Sequence, residues 1–163
     1  TINQLRAEAR RYVKNGAKLI IVDYLQLVAC NKGNRGNRVQ EVGEISRGLK
    51  KMALELDVPV IALAQLNRSI EHDANRVPRL SDLRESGSIE ADSDVVMFIH
   101  CENRSVHIDG RILFQIVIGK NRSGPQGKFD IAFNRNFSRF EDQRENQDLI
   151  SKADQIKAKK KSS

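Results

Sequence analysis

Apolar residues recur along parts of the chain with the spacing of amphipathic helices. Residues 2–15 place Ile2, Leu5, Ala9 and Val13 on one helical stripe, and Gly16 then follows as a stop signal. Residues 38–56 repeat the three- and four-residue spacing over a longer stretch, before Asp57 and Pro59. The pattern therefore predicts two helices, one at each of these places.

Between and after these helices the sequence contains short, nearly continuous apolar runs that predict strands. They are 19–23, 58–66, 94–100, 111–120, 128–133 and a short sixth, 137–141, joined to the fifth by a tight turn at Asn134–Asn136. Strands that apolar are typical of a sheet covered on both faces. The order strand, helix, strand favours an α/β fold with a mostly parallel sheet flanked by helices.

Three polar side chains lie at or just past the carboxyl ends of the predicted strands, where ligands gather in such sheets: Asp23, Gln65 and Lys120. An aspartate after an apolar strand is the Walker B pattern, a carboxylate that holds a nucleotide-bound Mg²⁺. A helix-capping or turn aspartate is the alternative. Gln65 fits a sensor of a γ-phosphate or an attacking water, and a hydrogen-bonded polar residue at a strand end is its alternative.

Basic side chains form three further candidates for phosphate contacts. Lys120 and Arg122 lie two apart after a buried strand, so an extended backbone would point both the same way; a solvated pair before a turn is the alternative. Arg84, with backbone N–H groups near Gly87, could grip a phosphate in a segment that otherwise reads as a solvated connection. The third cluster, in a glycine-rich loop, is Lys32, Arg35 and Arg38.

Composition adds limits rather than a function. The chain has 163 residues, 39% hydrophobic and 30% charged, and no apolar run long enough for a membrane span, so we expect a soluble protein without a membrane partner. The net charge of +7 comes from the two ends, while residues 19–150 are close to neutral, so it does not by itself indicate nucleic acid. Two cysteines predict a reducing, cytoplasmic location.

Several common sites are not indicated by any motif. His100, Cys101 and His107 match no standard zinc spacing, and no aromatic stacking platform accompanies the basic clusters. The phosphate-binding pattern GxxxxGK followed by Ser or Thr does not occur in the 163 residues.

Taken together, four segments resemble the successive motifs of the bacterial replicative DNA helicases of the DnaB type, in order and spacing. They are "LIIVDYLQL", "NRVQEVGEISRGLKKMALELDVPVIALAQLNR", "LSDLRESGSIEADSDVVMFI" and "IGKNRSGPQGKFDIAFNRNFSRFE". Other RecA-fold ATPases share the aspartate strand and a Lys-Asn-Arg segment, but they are not expected to share "LRESG". The resemblance covers residues 2–142.

The resemblance implies a RecA-like motor that uses ATP and Mg²⁺, assembles as a homo-hexamer around single-stranded DNA, and works with a primase and a helicase loader. It implies that Asp23 is the Walker B carboxylate, holding Mg²⁺ through water, and that Gln65 is the strand-end glutamine. It assigns Lys120 and Arg122 to the neighbouring subunit's nucleotide. The residues it assigns to DNA are Arg84, Glu85 and Gly87 in one loop and Lys32, Arg35 and Arg38 in another.

The sequence departs from the family pattern in two ways. Ala64 stands where the family commonly has Ser before the glutamine. The phosphate loop, with its strand and helix, and the catalytic glutamate would lie upstream of Thr1, so we expect an incomplete RecA-like domain at 1–142 and a polar basic tail at 143–163. A chain of this kind should be inactive alone and should self-associate or be marginally stable through an apolar sheet edge. The alternative is a non-enzymatic truncated paralogue that binds single-stranded DNA or modulates a helicase ring.

Overall fold

The computed structural model describes residues 1–29, 38–67, 70, 76–83, 86–101, 110–141 and 151. The chain divides into two compact units, one made of Thr1–Ser69 with Leu80–Asp94 and the other of Ile70–Arg79 with Val95–Ser163. None of the described helices is long and apolar enough to cross a membrane.

The described residues of the first unit form helices around a short parallel sheet. In chain order its elements are α1 (Ile2–Lys14), β1 (Ile20–Val22), a 3-10 turn (Leu25–Leu27), α2 (Arg38–Leu56), β2 (Val60–Ala62), a second 3-10 turn (Leu80–Asp82) and α3 (Ser86–Asp92). The predicted helices at 2–15 and 38–56 are confirmed to within one residue.

Helix α1 begins at a capping box, in which the Thr1 side chain accepts from the backbone N–H of Gln4 and the Gln4 side chain accepts from the N-terminal amine. It packs on α2, where Gly48 leaves room for the buried side chain of Ile2. Glu55 accepts hydrogen bonds from Arg6 and Arg10, both at 2.6 Å, and these bonds lower the pKa of the Glu55 carboxyl. A buried apolar contact and a pair of arginine–glutamate ion pairs therefore hold α1 against α2.

Strands β1 and β2 are parallel, and Ile20, Ile21 and Val22 pair with Val60, Ile61 and Ala62. Val22 is buried, whereas Ile21 is 61% exposed and its partner Ile61 is 45% exposed. The prediction that these strands are buried on both faces is therefore wrong for the described chain. The apolar run is correct as a strand signal, but the described residues leave Ile21 and Ile61 uncovered.

The second unit is a four-stranded sheet of β3 (Val95–His100), β4 (Arg111–Asn121), β5 (Gly127–Asn134) and β6 (Arg139–Glu141), in that spatial order. All three pairings are antiparallel. The expected α/β class is confirmed, but the expectation of a mostly parallel sheet is wrong for the described strands. The connections here are too short for the crossover that parallel neighbours need, so each strand can only turn back on the one before it.

One face of this sheet carries an aromatic cluster of Phe114, Phe133 and Phe140, whose ring centroids lie 5.0 to 6.1 Å apart. On β3 the residues alternate, with Phe98 buried and Met97 exposed, so this strand too is covered on one face only.

Candidate functional site

Asp23 lies directly beyond the carboxyl end of β1, and its side chain is exposed. The segments that follow β1 and β2 remain paired at this point, because Leu63 N–H donates to the Val22 carbonyl at 3.0 Å and Leu25 N–H donates to the Leu63 carbonyl at 2.8 Å. The Asp23–Tyr24 peptide bond is cis. The structure therefore presents Asp23 to solvent at the edge where the sequence predicts a ligand.

Gln65 lies three residues beyond the end of β2, and its side chain is also exposed. Its backbone is held by the side chain of Gln26, which lies in the 3-10 turn after Asp23. The carboxamide of Gln26 accepts from Gln65 N–H at 3.3 Å and donates to the Gln65 carbonyl at 3.4 Å. The predicted pair Asp23 and Gln65 is thus brought to one end of the parallel sheet.

Arg38, the first residue of α2, is joined to the same place. Its Nη2 donates to the backbone carbonyl of Gln26 at 2.7 Å, and its Nη1 pairs with Glu41 at 2.9 Å. The family resemblance assigns Arg38 to DNA together with Lys32 and Arg35, but those two residues lie outside the described part of the chain.

Lys120 and Arg122 belong to the second unit, at the end of β4. The ladder between β3 and β4 shifts by one residue at Val96 and Met97, so that Gly119 is an extra residue and Lys120 lies opposite Val96. Asn121, between the two basic residues, orders the following turn: its Nδ2 donates to the Pro125 carbonyl at 3.2 Å, and its Oδ1 accepts from Ser123 N–H at 3.3 Å. A bulge and a capped turn therefore fix the backbone that carries both cations.

Gly87 lies in the first turn of α3 and is exposed, and a Cβ built on it would meet nothing within 4 Å. The other two residues of that predicted loop, Arg84 and Glu85, lie outside the described residues. Helix α3 is held against α2, where the Ser46 hydroxyl donates to the Ser88 carbonyl at 3.5 Å. Gly87 is therefore carried on a packed helix with its own surface open.

The described side chains could hold Mg²⁺ only through water molecules, which is the arrangement that the family resemblance implies for Asp23. Among the described residues no group of three or more His, Cys, Asp or Glu side chains could hold a metal ion. A single exposed carboxylate such as Asp23 suits an ion that keeps several waters and takes its other ligands from phosphates. His100 is buried on β3, Cys101 donates its S–H to the Leu113 carbonyl at 3.5 Å, and His107 is outside the described residues.

Two residues at these sites were missed by the sequence reasoning. Gln26 is the polar interruption between two leucines in "LQL", and that interruption was an available signal that its side chain bonds something. Asn121, between the two cations, has no role in the sequence-based prediction, although an asparagine at the start of a segment such as Asn-Arg-Ser-Gly-Pro commonly caps a turn.

Comparison with known proteins gives a consistent result. The DnaB-like helicase C terminal domain family matches residues 1–142. The replicative DNA helicase DnaB of Pasteurella multocida is 49% identical over 152 residues, which are 91% of this chain and 32% of that protein. The same-named helicase of Geobacillus stearothermophilus is 43% identical over 141 residues, covering 85% of this chain and 31% of the relative.

Solved structures agree with these relatives. A DnaB-like replicative helicase, whose structure was described with its interactions with primase, has a TM-score of 0.77 and 36% identity over 86% of this chain and 34% of its own. An ATPase domain gives the same TM-score and identity, over 86% of this chain and 50% of that domain. The chain spans about a third of the length of the curated relatives that it matches. It belongs to the family of DnaB-like helicase C-terminal domains.

Proposed function

We propose that this chain is the C-terminal part of the ATPase motor of a replicative DNA helicase, which in a homo-hexamer couples ATP hydrolysis to movement along single-stranded DNA and to duplex unwinding. The observation that carries the proposal is the end of the β1–β2 pair. There an exposed carboxylate and an exposed glutamine lie at the carboxyl edge of parallel strands, inside the segment that matches the family.

In this proposal Asp23 holds a water-bound Mg²⁺ and Gln65 hydrogen-bonds a γ-phosphate or the attacking water. The metal, when bound with ATP, supplies positive charge against the phosphate oxygens. Asp23 follows a strand whose last residue is buried, so its backbone is fixed while its carboxylate remains in solvent. Gln65 is fixed in a comparable way through both of its backbone groups.

Lys120 and Arg122 are proposed to act on the nucleotide of a neighbouring subunit. The guanidinium of an arginine supplied in this way stabilises charge on the transferred phosphoryl group and is worth roughly 10³–10⁵ in rate. The bulge at Gly119 and the turn capped by Asn121 support this role, because they give the two cations a defined backbone on which to reach outward.

DNA contacts are proposed for two groups of residues, Arg84, Glu85 and Gly87, and Lys32, Arg35 and Arg38. Backbone N–H groups and cations of this kind contact phosphates without reading bases, so binding should weaken steeply with salt. A primase partner is supported by the similar helicase that was described with its interactions with primase. A helicase loader is proposed from the family resemblance alone.

The first measurement is the intact mass and N-terminal sequence of the native polypeptide that contains this chain. A product about three times this length, with a phosphate loop upstream, supports the motor. A product that starts near Thr1 would lack that loop and would favour a non-enzymatic module that binds single-stranded DNA or modulates a helicase ring.

The second measurement tests the trans arrangement by mixing subunits. Asp23→Asn and Arg122→Ala should each abolish the DNA-stimulated ATPase of the native polypeptide, and mixing the two should restore part of it. Restoration follows because some interfaces then combine an intact Asp23 with an intact Arg122 from the next subunit. Arg135→Ala, an exposed arginine in the turn after β5, serves as the matched control. Failure of the mixture to regain activity would contradict a finger supplied in trans.

A further inference from the structure

The pairing between the two parallel segments does not end with the strands, because a side chain continues it. The backbone ladder runs through Leu63, which both donates to Val22 and accepts from Leu25. After Leu25 the main chain leaves the sheet in the 3-10 turn, where Leu27 N–H donates back to the Tyr24 carbonyl at 3.0 Å. The segment that follows β1 therefore no longer offers Gln65, two residues beyond Leu63, a main-chain partner among the described residues.

The side chain of Gln26 takes the place of that missing strand. A carboxamide has one donor group and one acceptor group side by side, as a peptide group does, so it can pair with both backbone groups of one residue. Gln26 does this with Gln65, at 3.3 and 3.4 Å. These distances are longer than the usual 2.9–3.0 Å, so each bond is individually weak and the pair acts by fixing orientation.

Gln26 is itself anchored from the other side. Its backbone carbonyl accepts from Arg38 Nη2 at 2.7 Å, and Arg38 is in turn paired with Glu41 one helical turn along α2. A charge-assisted bond of that length is stronger than a neutral one. The 3-10 turn is thereby tied to the start of a long, well-packed helix rather than left as a loop.

We propose that Gln26 is a positioning residue for Gln65: by pairing with both backbone groups of Gln65, and by being held in place by Arg38, it sets the direction in which the Gln65 side chain is presented at the sheet edge. The inference rests on the proposed function for its catalytic consequence. Its structural part concerns only these three residues and can be measured in the 163-residue chain itself.

The structural part is tested by amide hydrogen exchange of Gln65 in the full chain. Gln26→Ala removes the acceptor, and the Gln65 N–H should exchange roughly tenfold faster or more, since it loses its partner. Gln26→Glu keeps an oxygen for that N–H but cannot donate to the Gln65 carbonyl, so protection should be largely retained. Gln40→Ala, an exposed glutamine of α2, is the matched control. Unchanged exchange in Gln26→Ala would overturn the proposal.

The catalytic part is tested in the native polypeptide by separating kcat from KM for ATP. A misplaced Gln65 should lower kcat by roughly 10- to 100-fold, as small displacements of catalytic groups do, and leave KM within about twofold. Gln65→Ala should lower kcat at least as far, and adding Gln26→Ala to it should have little further effect. A role confined to stability would instead lower the fraction of active protein and leave the kcat of the folded fraction unchanged.

The outcomes separate this inference from the function on which it rests. An active wild type whose kcat is unaffected by Gln26→Ala overturns the positioning role and leaves the helicase proposal intact. A wild-type polypeptide without ATPase activity overturns the helicase proposal and the catalytic part together, while hydrogen exchange still decides whether Gln26 holds Gln65.

Discussion

The ring of Phe98 lies directly over Gly119, so that a Cβ built on Gly119 would come within 2.6 Å of Phe98 Cε2. Phe98 is only 3% exposed and has little freedom to move aside. Gly119 is also the extra residue of the bulge that places Lys120 opposite Val96. The packing of one aromatic ring and the direction of one candidate catalytic cation are therefore set at the same glycine.

Replacing Gly119 by alanine should destabilise the second unit and turn Lys120 away. Forcing a methyl group against a buried ring costs about 1–3 kcal/mol, which a shift in the urea unfolding midpoint would register. In the native polypeptide the same variant should lower the DNA-stimulated ATPase, because the bulge can no longer hold its geometry.

Two further variants separate the clash from a general effect of alanine. Gly127→Ala, where nothing lies within 4 Å of the added carbon, should leave the midpoint nearly unchanged. Phe98→Leu should be less sensitive to Gly119→Ala than the wild type, since the ring that clashes is gone. Equal destabilisation by Gly119→Ala in both backgrounds would mean that contact with the Phe98 ring is not the reason that alanine is unfavourable at position 119.

Glu141 ties β6 to the rest of its sheet and makes the stability of that sheet sensitive to acid. It accepts from Arg111 at 2.6 Å, from Asn134 at 2.8 Å and from Arg139 at 3.3 Å. The bond from Arg111, followed by that from Asn134, lowers the pKa of Glu141 from 4.5 to about 2. A carboxyl with a lowered folded-state pKa stabilises the fold above its unfolded value and loses that contribution as the pH falls.

The urea concentration at the unfolding midpoint should therefore decrease as the pH is lowered from 4.5 to about 2. Glu141→Gln should remove part of that pH dependence. The variant should also be less stable than the wild type at neutral pH, because two arginines lose their carboxylate. Urea titrations across this pH range measure both effects, and Glu44→Gln on α2 is the control. A Glu141→Gln profile parallel to that of the wild type would show that this carboxyl does not titrate in the window.

The fold could be predicted from the sequence wherever local pattern and local structure coincide. The periodicity of 38–56 gives α2 with both its ends, and the apolar runs find the strands. Direction could not be predicted from apolar content alone: runs such as 94–100 and 111–120 look equally suited to parallel or antiparallel neighbours. Connection length decides between the two, because the turns between β4 and β5 and between β5 and β6 are too short for a parallel crossover.

The candidate site could be predicted in part, for a related physical reason. Asp23 and Gln65 end apolar strands, and parallel strands place their carboxyl ends together, so their common edge follows from the pattern. The clamp by Gln26 depends on where a 3-10 turn sends one side chain, and the bulge at Gly119 depends on a one-residue shift of register. Such effects of tertiary geometry have no periodic signal in the sequence.

Gly48 should be intolerant of alanine for a reason that can be reversed by a second substitution. A Cβ there would lie 2.6 Å from Cγ1 of Ile2, which is buried where α1 meets α2. Gly48→Ala alone should lower the free energy of unfolding by about 1–3 kcal/mol. In an Ile2→Ala background the clash is absent, and Gly48→Ala should then stabilise α2 by about 0.5–1 kcal/mol through helix propensity.

Urea unfolding of the four proteins in this cycle measures the coupling between the two positions directly. The prediction is a change of sign, which a general disturbance of α2 cannot produce. Destabilisation of similar size in both backgrounds would show that the two helices do not depend on Gly48 for their close approach.

Gly87 offers a test of the DNA proposal that does not disturb the fold. Because nothing lies within 4 Å of a Cβ built on Gly87, alanine should fit α3 without strain and should not lower the unfolding midpoint. If the backbone of Gly87 approaches a DNA phosphate closely, the added methyl group should weaken binding of a fluorescent oligothymidylate to the native polypeptide. The slope of affinity against salt concentration should stay unchanged, because the substitution removes no charge.

Gly127→Ala is the control for the same chemical change elsewhere. Unchanged affinity in Gly87→Ala would remove Gly87 from the DNA-contacting surface, whereas a loss of affinity together with a lower midpoint would mean that α3, and not a phosphate, is what the methyl group disturbs.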